Sequence, residues 1–412
     1  MASHVGPARA SPGIEYGVTD DAWLLYGPGT IDSKLSELRR LGADLVRFTI
    51  RWDEVARRKP ASPRDHGDPA YDWGNADEVL RGLRRHDLTA VVTLYGAPGW
   101  ANGGRAENWA PTSDRSFASF AYAAARRYPW VASWTIWNEP NQPMWLRPTS
   151  VQTYVKTLLN PAYAAIHKAI ADAHVGGGMT SPRAGASGIS PVEWIREMGA
   201  LRARLDAYAH HPYPSRPQIE GPWSPPCDRC STLTMAELER LRSEVRRSFG
   251  PTRIWLTEYG YQTNPPDALL GVSPAVQARY YASAARRAYL APDVDMLVFY
   301  LVRDDAASQG WQSGLVTSNG LRKPSYAAFR LPLTQTDRVG PDAVVWGQVR
   351  PRSGRQPYRV EVYERGRWNW VGGTRWTDER GFLAISVAAA RGSRLRIWSA
   401  LDGGYSLEIE LK

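Results

Sequence analysis

Residues 31–50, IDSKLSELRRLGADLVRFTI, hold one complete helix-to-strand unit. Leu35, Leu38 and Leu41 recur at helical spacing, and the pattern stops at Gly42. DLVRFTI (44–50) follows, a short apolar and β-branched run that reads as a strand. The unit recurs on both sides. Strands are predicted at IEYGV (14–18), TAVVTLY (89–95), VASWTIW (131–137), VGGGM (175–179), LDAYAHH (205–211), RIWLTE (253–258) and VDMLVFYL (294–301). Helices are predicted over 75–86, 113–127, 151–173, 191–204, onward from Thr234, over 273–290 and over 323–329. Thr234 and Glu237 have the spacing of a capping box, and Ser273-Pro274 is a cap followed by proline at the first helical position.

Eight strands thus alternate with eight helices. The strands are near-continuous apolar runs, as parallel strands covered on both faces are. Repeated right-handed crossovers close into an α/β (β/α)8 TIM barrel. An open doubly wound sheet is the alternative. It calls for a Gly-rich phosphate loop after the first strand, and GVTDDAW (17–23) has none. Past Leu331 the pattern changes to short alternating runs at 343–350, 358–364, 367–372, 382–387, 394–400 and 405–411. Turns such as Arg365-Gly366 and Asp402-Gly403-Gly404 separate them. This reads as a small C-terminal antiparallel β-sandwich domain over 332–412, behind a barrel domain over 14–331.

Composition narrows the function. An aromatic content of 11% excludes disorder as the main state. No apolar run is long enough to span a membrane, so no membrane partner is expected. The net charge of +10 is spread along the chain, without a basic stripe or binding motif, so nucleic acid is not an expected partner. The chain has 18 Trp and 20 Tyr against 7 Phe, a bias beyond core filler. Trp and Tyr join a flat apolar face to a polar edge, which suits sugar rings, although packing claims most of them.

Cys227 and Cys230 sit in PPCDRC. A zinc site needs two further ligands at matching spacing, and a redox CxxC opens a helix after a strand. Neither holds in this Pro-rich loop, so a small loop-pinning disulfide is expected, in an oxidising compartment. MASHVGPARASPG (1–13) lacks an apolar h-region. It reads as an expression start or leader on a secreted chain whose signal peptide has been removed.

In a barrel of this kind, chemistry sits at the C-terminal ends of the strands. The fourth strand ends in Trp137-Asn138-Glu139-Pro140-Asn141, and the seventh in Thr257-Glu258-Tyr259-Gly260. Two carboxylates facing each other across a barrel suit cleavage at an acetal carbon, where one protonates the leaving oxygen and the other attacks or activates water. Buried structural carboxylates are the bland alternative. The preceding Asn, the strand-end position and the partner on the seventh strand weigh against it. Neighbours alternate across a strand, so of His210 and His211 one must point away, and His211 is read as facing the pocket. No metal or cofactor is expected: Asp20-Asp21 and Asp304-Asp305 lack the pattern of a calcium loop, and no nucleotide motif is visible.

These segments resemble clan A glycoside hydrolases, and in detail family 39 and related bacterial exopolysaccharide glycosidases. The resemblance rests on W-N-E-P-N with the strand-seven Glu, Arg47 followed by Trp52, APGWA (97–101), Trp145, His211-Pro212-Tyr213 and GLVTSNGLRKPSYAAF (314–329). It covers roughly 14–331 and implies a retaining O-glycosidase acting on equatorial bonds of a carbohydrate by double displacement. It implies Glu139 as general acid/base, Glu258 as nucleophile and Asn138 as the holder of the 2-hydroxyl. Arg47 and Tyr213 would hydrogen-bond Glu258, with His211 in support. Many clan members place a Trp at the end of strand eight. Here the stretch is Phe299-Tyr300-Leu301-Val302-Arg303, so Tyr300 or Trp311 is expected as the platform, with Arg303 and Asp304 as polar groups. Tyr95, Trp100 and Trp145 are further expected substrate contacts, while Trp109 and Trp223 lie in loops at the same end. The expected substrate is a polysaccharide or oligosaccharide. An exo-acting β-xylosidase or diglycosidase, a transglycosylase and a non-catalytic carbohydrate-binding barrel are the alternatives. The chain is expected to be a monomer. Trp368, Trp370 and Trp376 fall close together in the sandwich, and 368 and 370 share a face on one strand; an exposed pair would suggest sugar binding, but a buried, core pair is the favoured reading.

Overall fold

In a computed structural model, eight parallel strands hydrogen-bond in sequence order and close into a barrel. They are Glu15–Thr19 (β1), Leu45–Arg51 (β2), Thr89–Tyr95 (β3), Ser133–Ile136 (β4), His174–Thr180 (β5), Ala207–His210 (β6), Arg253–Tyr259 (β7) and Val294–Tyr300 (β8). The structure describes residues 10–11, 13–227, 230–306, 310–351, 354–401 and 403–412. Of the expected leader only 10, 11 and 13 fall among them. Ser11 is tied down there, its hydroxyl donating to the Val294 carbonyl at 2.6 Å. Asp402 of the last expected turn also lies outside the described residues.

The helices form where the apolar spacing puts them. Ile31–Leu41 buries Ile31, Leu35, Leu38 and Leu41, and Gly42 ends it at a φ of 83°, a left-handed conformation that glycine adopts without a Cβ clash. Thr234 and Glu237 form a reciprocal capping box ahead of Leu238–Phe249. The long helix after β4 starts at Val151, passes through a π segment at Tyr154–Leu159 and ends at Ala169. Three short helices were not anticipated, Asp21–Tyr26, Trp52–Val55 and Gly99–Asn102. Each lies in a loop at the C-terminal end of a strand. Among the described residues no helix is long and apolar enough to cross a membrane.

The barrel interior is layered. Leu45, Val91, Ala207, Trp255 and Met296 make an apolar floor. The glycines of β5 make room for it. A Cβ on Gly176 would meet the Trp255 ring at 2.7 Å. Above the floor lies a polar layer, where the Arg47 Nε donates to Thr93 Oγ1 at 2.8 Å and Thr93 meets Thr135 at 2.8 Å. This layer aims the groups at the mouth of the barrel.

The C-terminal region forms two antiparallel sheets. Leu333–Val339 (β9), Asp342–Gln348 (β10) and Phe382–Ala388 (β14) make one, in the order β14-β10-β9. Pro357–Glu364 (β11), Arg367–Trp370 (β12), Arg375–Trp376 (β13), Arg394–Ser399 (β15) and Ile409–Glu410 (β16) make the other. Arg365 and Gly366 both have positive φ, as a two-residue hairpin turn between β11 and β12 requires. Val345, Ile385, Val360, Leu395 and Ile397 pack between the sheets. Trp346 and Phe382 seat on Tyr289, and the Arg350 guanidinium lies 3.8 Å over the Tyr16 ring. These contacts fall at the start of β1 and the end of Pro274–Tyr289, away from the barrel mouth.

The expected core role of the sandwich tryptophans needs correction. Trp370 is 46% exposed and Trp376 55%, and Trp368 is half-buried. They pair with Glu361, Pro357 and Tyr363 on the outer face of β11, where Arg359 and Arg396 lie over Trp370 and Trp368. The inward positions of β11 belong to Tyr358, Val360 and Val362. One step of strand register decides which set is core.

Candidate active site

The end of β4 is bent to aim Glu139. Trp137 and Glu139 adopt φ values of 68° and 35°, in the left-handed region that side chains other than glycine rarely enter. Such strain persists only where the surroundings over-determine it. Here the Trp137 amide donates to the Leu94 carbonyl and its indole to the Trp145 carbonyl at 2.7 Å. Asn141 anchors the far side, accepting from the Ser181 amide at 2.9 Å and donating to the Ile189 carbonyl at 3.1 Å.

Glu258 comes from the next-to-last position of β7, and three side chains converge on it. Arg47 donates to its Oε1 at 2.5 Å, and Tyr213 to its Oε2 at 2.9 Å. The His211 Nδ1 lies 3.5 Å from Oε2 and 3.0 Å from the Glu139 Oε1. Facing two carboxylate oxygens, Nδ1 is the ring nitrogen set to donate, and the Nε2 of the same ring has no partner among the described residues. Burial works to raise the Glu258 carboxyl. The positive fields of His211 and Arg47, with the hydrogen bonds from Arg47 and Tyr213, outweigh it and hold the carboxyl below its ordinary range. Burial and the Glu258 charge push the Tyr213 phenol far up, so it stays a donor. Arg47 completes its fan by donating to Asn138 Oδ1 at 3.1 Å. The Asn138 amide nitrogen keeps no partner among the described residues.

Glu139, His211 and Glu258 each offer a ligand atom within 4.8 Å of the others, so the two carboxylates reach one opening. Among the described residues this is the one such group that is close enough to hold a metal ion. The Arg47 guanidinium bonded to Glu258 already supplies a fixed cation there, which opposes a second one. Chemically the site offers one carboxylate held by two donors and a second carboxylate beside a histidine.

His210 turns the other way. Its Nδ1 meets Thr180 Oγ1 at 2.8 Å and its Nε2 the Leu233 carbonyl at 2.6 Å, and burial lowers its pKa to about 3. Trp311 stands at the mouth, 42% exposed, its ring 5.6 Å from Tyr213 and 5.5 Å from Tyr300. Of the other aromatic candidates Tyr95 is buried, Trp100, Trp109 and Trp145 are half-buried, and Trp223 is exposed. Tyr95 is buried against Trp137 and Trp145. The Trp100 indole donates to the Ala56 carbonyl at 2.7 Å and meets Trp52 edge-on. Trp145 lies edge-on to Tyr95 and lends its carbonyl to Trp137. Trp109 faces Arg105, and Trp223 faces Arg286 and Arg287.

Asp304 and Arg303 also need correction as polar groups of the cleft. Asp304 is buried and accepts from Lys323 Nζ at 2.8 Å, while the Arg303 Nε turns to the Ser318 carbonyl at 2.9 Å. Together they brace the loop that carries Trp311. Cys227 and Cys230 are joined in a disulfide. Sequence reasoning missed Thr93, Thr135 and Asp21. The available signal was the period of two, since Thr93 and Thr135 share the inward parity of Arg47 in register across β2, β3 and β4.

No protein-family model and no curated protein sequence matches the chain. Solved structures do. A glucosidase from Croceicoccus marinus aligns over 95% of this chain and 96% of its own, with a TM-score of 0.62 and 13% identity. A family 39 enzyme from Xanthomonas axonopodis pv. citri aligns over 98% and 95%, at 0.59 and 14%. A family 39 glycoside hydrolase from the gut symbiont Bacteroides cellulosilyticus WH2 aligns over 91% and 79%, at 0.59 and 17%. At such identities the likeness is one of fold. The chain is similar to family 39 glycoside hydrolases in fold, through barrel and sandwich alike.

Proposed function

We propose that the protein is a retaining glycoside hydrolase that cleaves equatorial bonds, of the β-D or α-L-arabino type, in a polysaccharide or oligosaccharide. The observation that supports this most is the placement of Glu139 and Glu258, with oxygens within 4.8 Å of each other at one opening. Retaining enzymes hold their carboxyl groups ~5–5.5 Å apart, against ~6.5–9.5 Å where a water must fit between them. The asymmetry of the pair supports the division of roles. Glu258 is kept ionised and attacks the anomeric carbon while Glu139 gives its proton to the departing oxygen. Glu139, now a carboxylate, takes a proton from water as the water oxygen attacks the anomeric carbon and frees Glu258. Two inversions leave the configuration unchanged. The free amide of Asn138 is set to donate to a hydroxyl beside the anomeric centre. Trp311, Tyr213 and Tyr300 form an aromatic wall suited to a sugar face. The Cys227–Cys230 disulfide supports secretion into an oxidising space.

The test is product release from β-linked polysaccharides and aryl glycosides by wild type, Glu258→Gln and Glu139→Gln. Glu258→Gln should be inactive on every member. Glu139→Gln should lose about 10²- to 10⁴-fold on poor leaving groups and far less on dinitrophenolate, which needs no proton. Wild-type activity in Glu258→Gln would refute the reading.

A further inference from the structure

One half-buried acid at the mouth has no part in the steps above. Thr19 on β1 lies in register with Arg47 on β2 and Tyr300 on β8, so the three side chains share the inward face. Asp21 follows two residues later, just past the strand end. Its Oδ1 accepts from the Thr49 amide at 3.3 Å, and the Thr49 hydroxyl also reaches it. Arg47 and Glu258 both act on its charge, and Tyr300 feels Glu258, Asp20, Asp305 and Asp21 together. Asp21 therefore faces the same recess as the nucleophile.

Its environment is unusual for a structural carboxylate. It is half-buried, and burial lifts its pKa to about 6. No described cation lies within ion-pair distance of it. Arg47 is committed to Glu258, Asn138 and Thr93, and the Arg303 guanidinium to Ser318. A carboxylate has about four acceptor positions, and Thr49 fills at most two. Desolvating an acid without a paired cation or a full set of donors costs free energy that the fold alone does not return. A ligand bringing hydroxyl donors returns it. A ligand bringing a carboxylate meets the charges of Asp21 and Glu258, while Arg47 and Arg303 are already engaged elsewhere.

We propose that Asp21 accepts hydrogen bonds from hydroxyls of the sugar seated against Glu258, and so selects a neutral glycone over a uronate. This rests on the glycosidase reading. Asp21 touches substrate and takes no part in proton transfer.

The experiment compares wild type, Asp21→Ala, Asp21→Asn and Glu258→Gln. The substrates are neutral and uronate β-linked polysaccharides, dinitrophenyl xyloside, glucoside, galactoside and glucuronide, and monodeoxy analogues of the best neutral glycoside. Wild type should prefer a neutral glycone. Asp21→Ala should lose about 10- to 100-fold in kcat/KM on it, the size of a lost hydrogen bond to a charged group. One monodeoxy analogue should cost wild type a similar factor and cost Asp21→Ala little more. Asp21→Asn, which removes charge and keeps shape, should narrow the gap to the glucuronide. Undiminished turnover by Asp21→Ala, or a wild type that prefers the uronate, would overturn the inference while Glu258→Gln remains inactive. Wild-type activity in Glu258→Gln, or no turnover of any substrate by wild type, would remove the glycosidase reading and this inference with it.

Discussion

Replacing Tyr213 with Phe removes one hydroxyl and leaves the ring, and that hydroxyl donates to Glu258 Oε2 at 2.9 Å. A hydrogen bond to a charged group is worth ~1.5–3 kcal/mol. It acts on the ionised carboxylate and not on the protonated acid. At about 1.36 kcal/mol per pH decade, its loss moves the acid limb of the kcat/KM profile up by about one to two pH. Arg47 still holds Oε1, so Glu258 remains ionised at neutral pH and the plateau should fall far less than the limb moves. The same change has a stability signature. The carboxyl of Glu258 is lowered in the folded protein, so it contributes stability above the unfolded value of ~4.3, and that contribution fades as pH falls through the folded value. Tyr213→Phe should therefore unfold more easily than wild type at neutral pH, and the difference should vanish in acid. The assays are initial rates on a dinitrophenyl glycoside across pH and urea unfolding across the same range. An acid limb that stays in place, with a stability gap that does not depend on pH, would refute the electrostatic role given to Tyr213.

Lys323→Met strips the partner from Asp304, both side chains being almost fully buried. Breaking such a pair costs about 3–5 kcal/mol. Urea unfolding should show that loss, with part of it recovered in Lys323→Met/Asp304→Asn; a change under about 1 kcal/mol would mean the pair is relaxed or wet. Trp311→Ala removes an exposed ring at the mouth, and aromatic contacts of this kind are worth ~0.5–1.5 kcal/mol. KM should rise by about 3- to 10-fold with kcat and melting temperature little changed. A fall in kcat alone would place the ring at the reacting centre instead.

The barrel was largely legible because its strands are buried on both faces and its helices carry clear apolar stripes. The predicted strands 44–50 and 89–95 sit within a residue of β2 and β3. β9 escaped because LTQTDRV is polar and mostly half-exposed, so alternation does not mark it. The predicted strand at 405–411 shrinks to Ile409–Glu410, with Tyr405 forming only an isolated bridge to Trp398. The two glutamates stood out because each ends a strand beside a distinctive neighbour. The geometry around them was not readable in the same way. Whether Trp100 faces a sugar or the Ala56 carbonyl depends on a loop conformation that no local pattern sets. Asp304 and Asp305 are adjacent acids, yet one pairs with Lys323 from 19 residues away and the other braces the Trp311 amide. Asp21 was passed over as half of an acidic pair. Strand parity along β1 ends at Thr19, and Asp21 opens the short helix that follows, so no local pattern aimed it.

The most direct measurement is the anomeric configuration of the first sugar released, followed by proton NMR within seconds of adding enzyme to a β-linked substrate. Double displacement through Glu258 requires that the β anomer appear first and then mutarotate. Early appearance of the α anomer would contradict it, since that outcome requires a water between Glu139 and Glu258 in place of a covalent bond to Glu258.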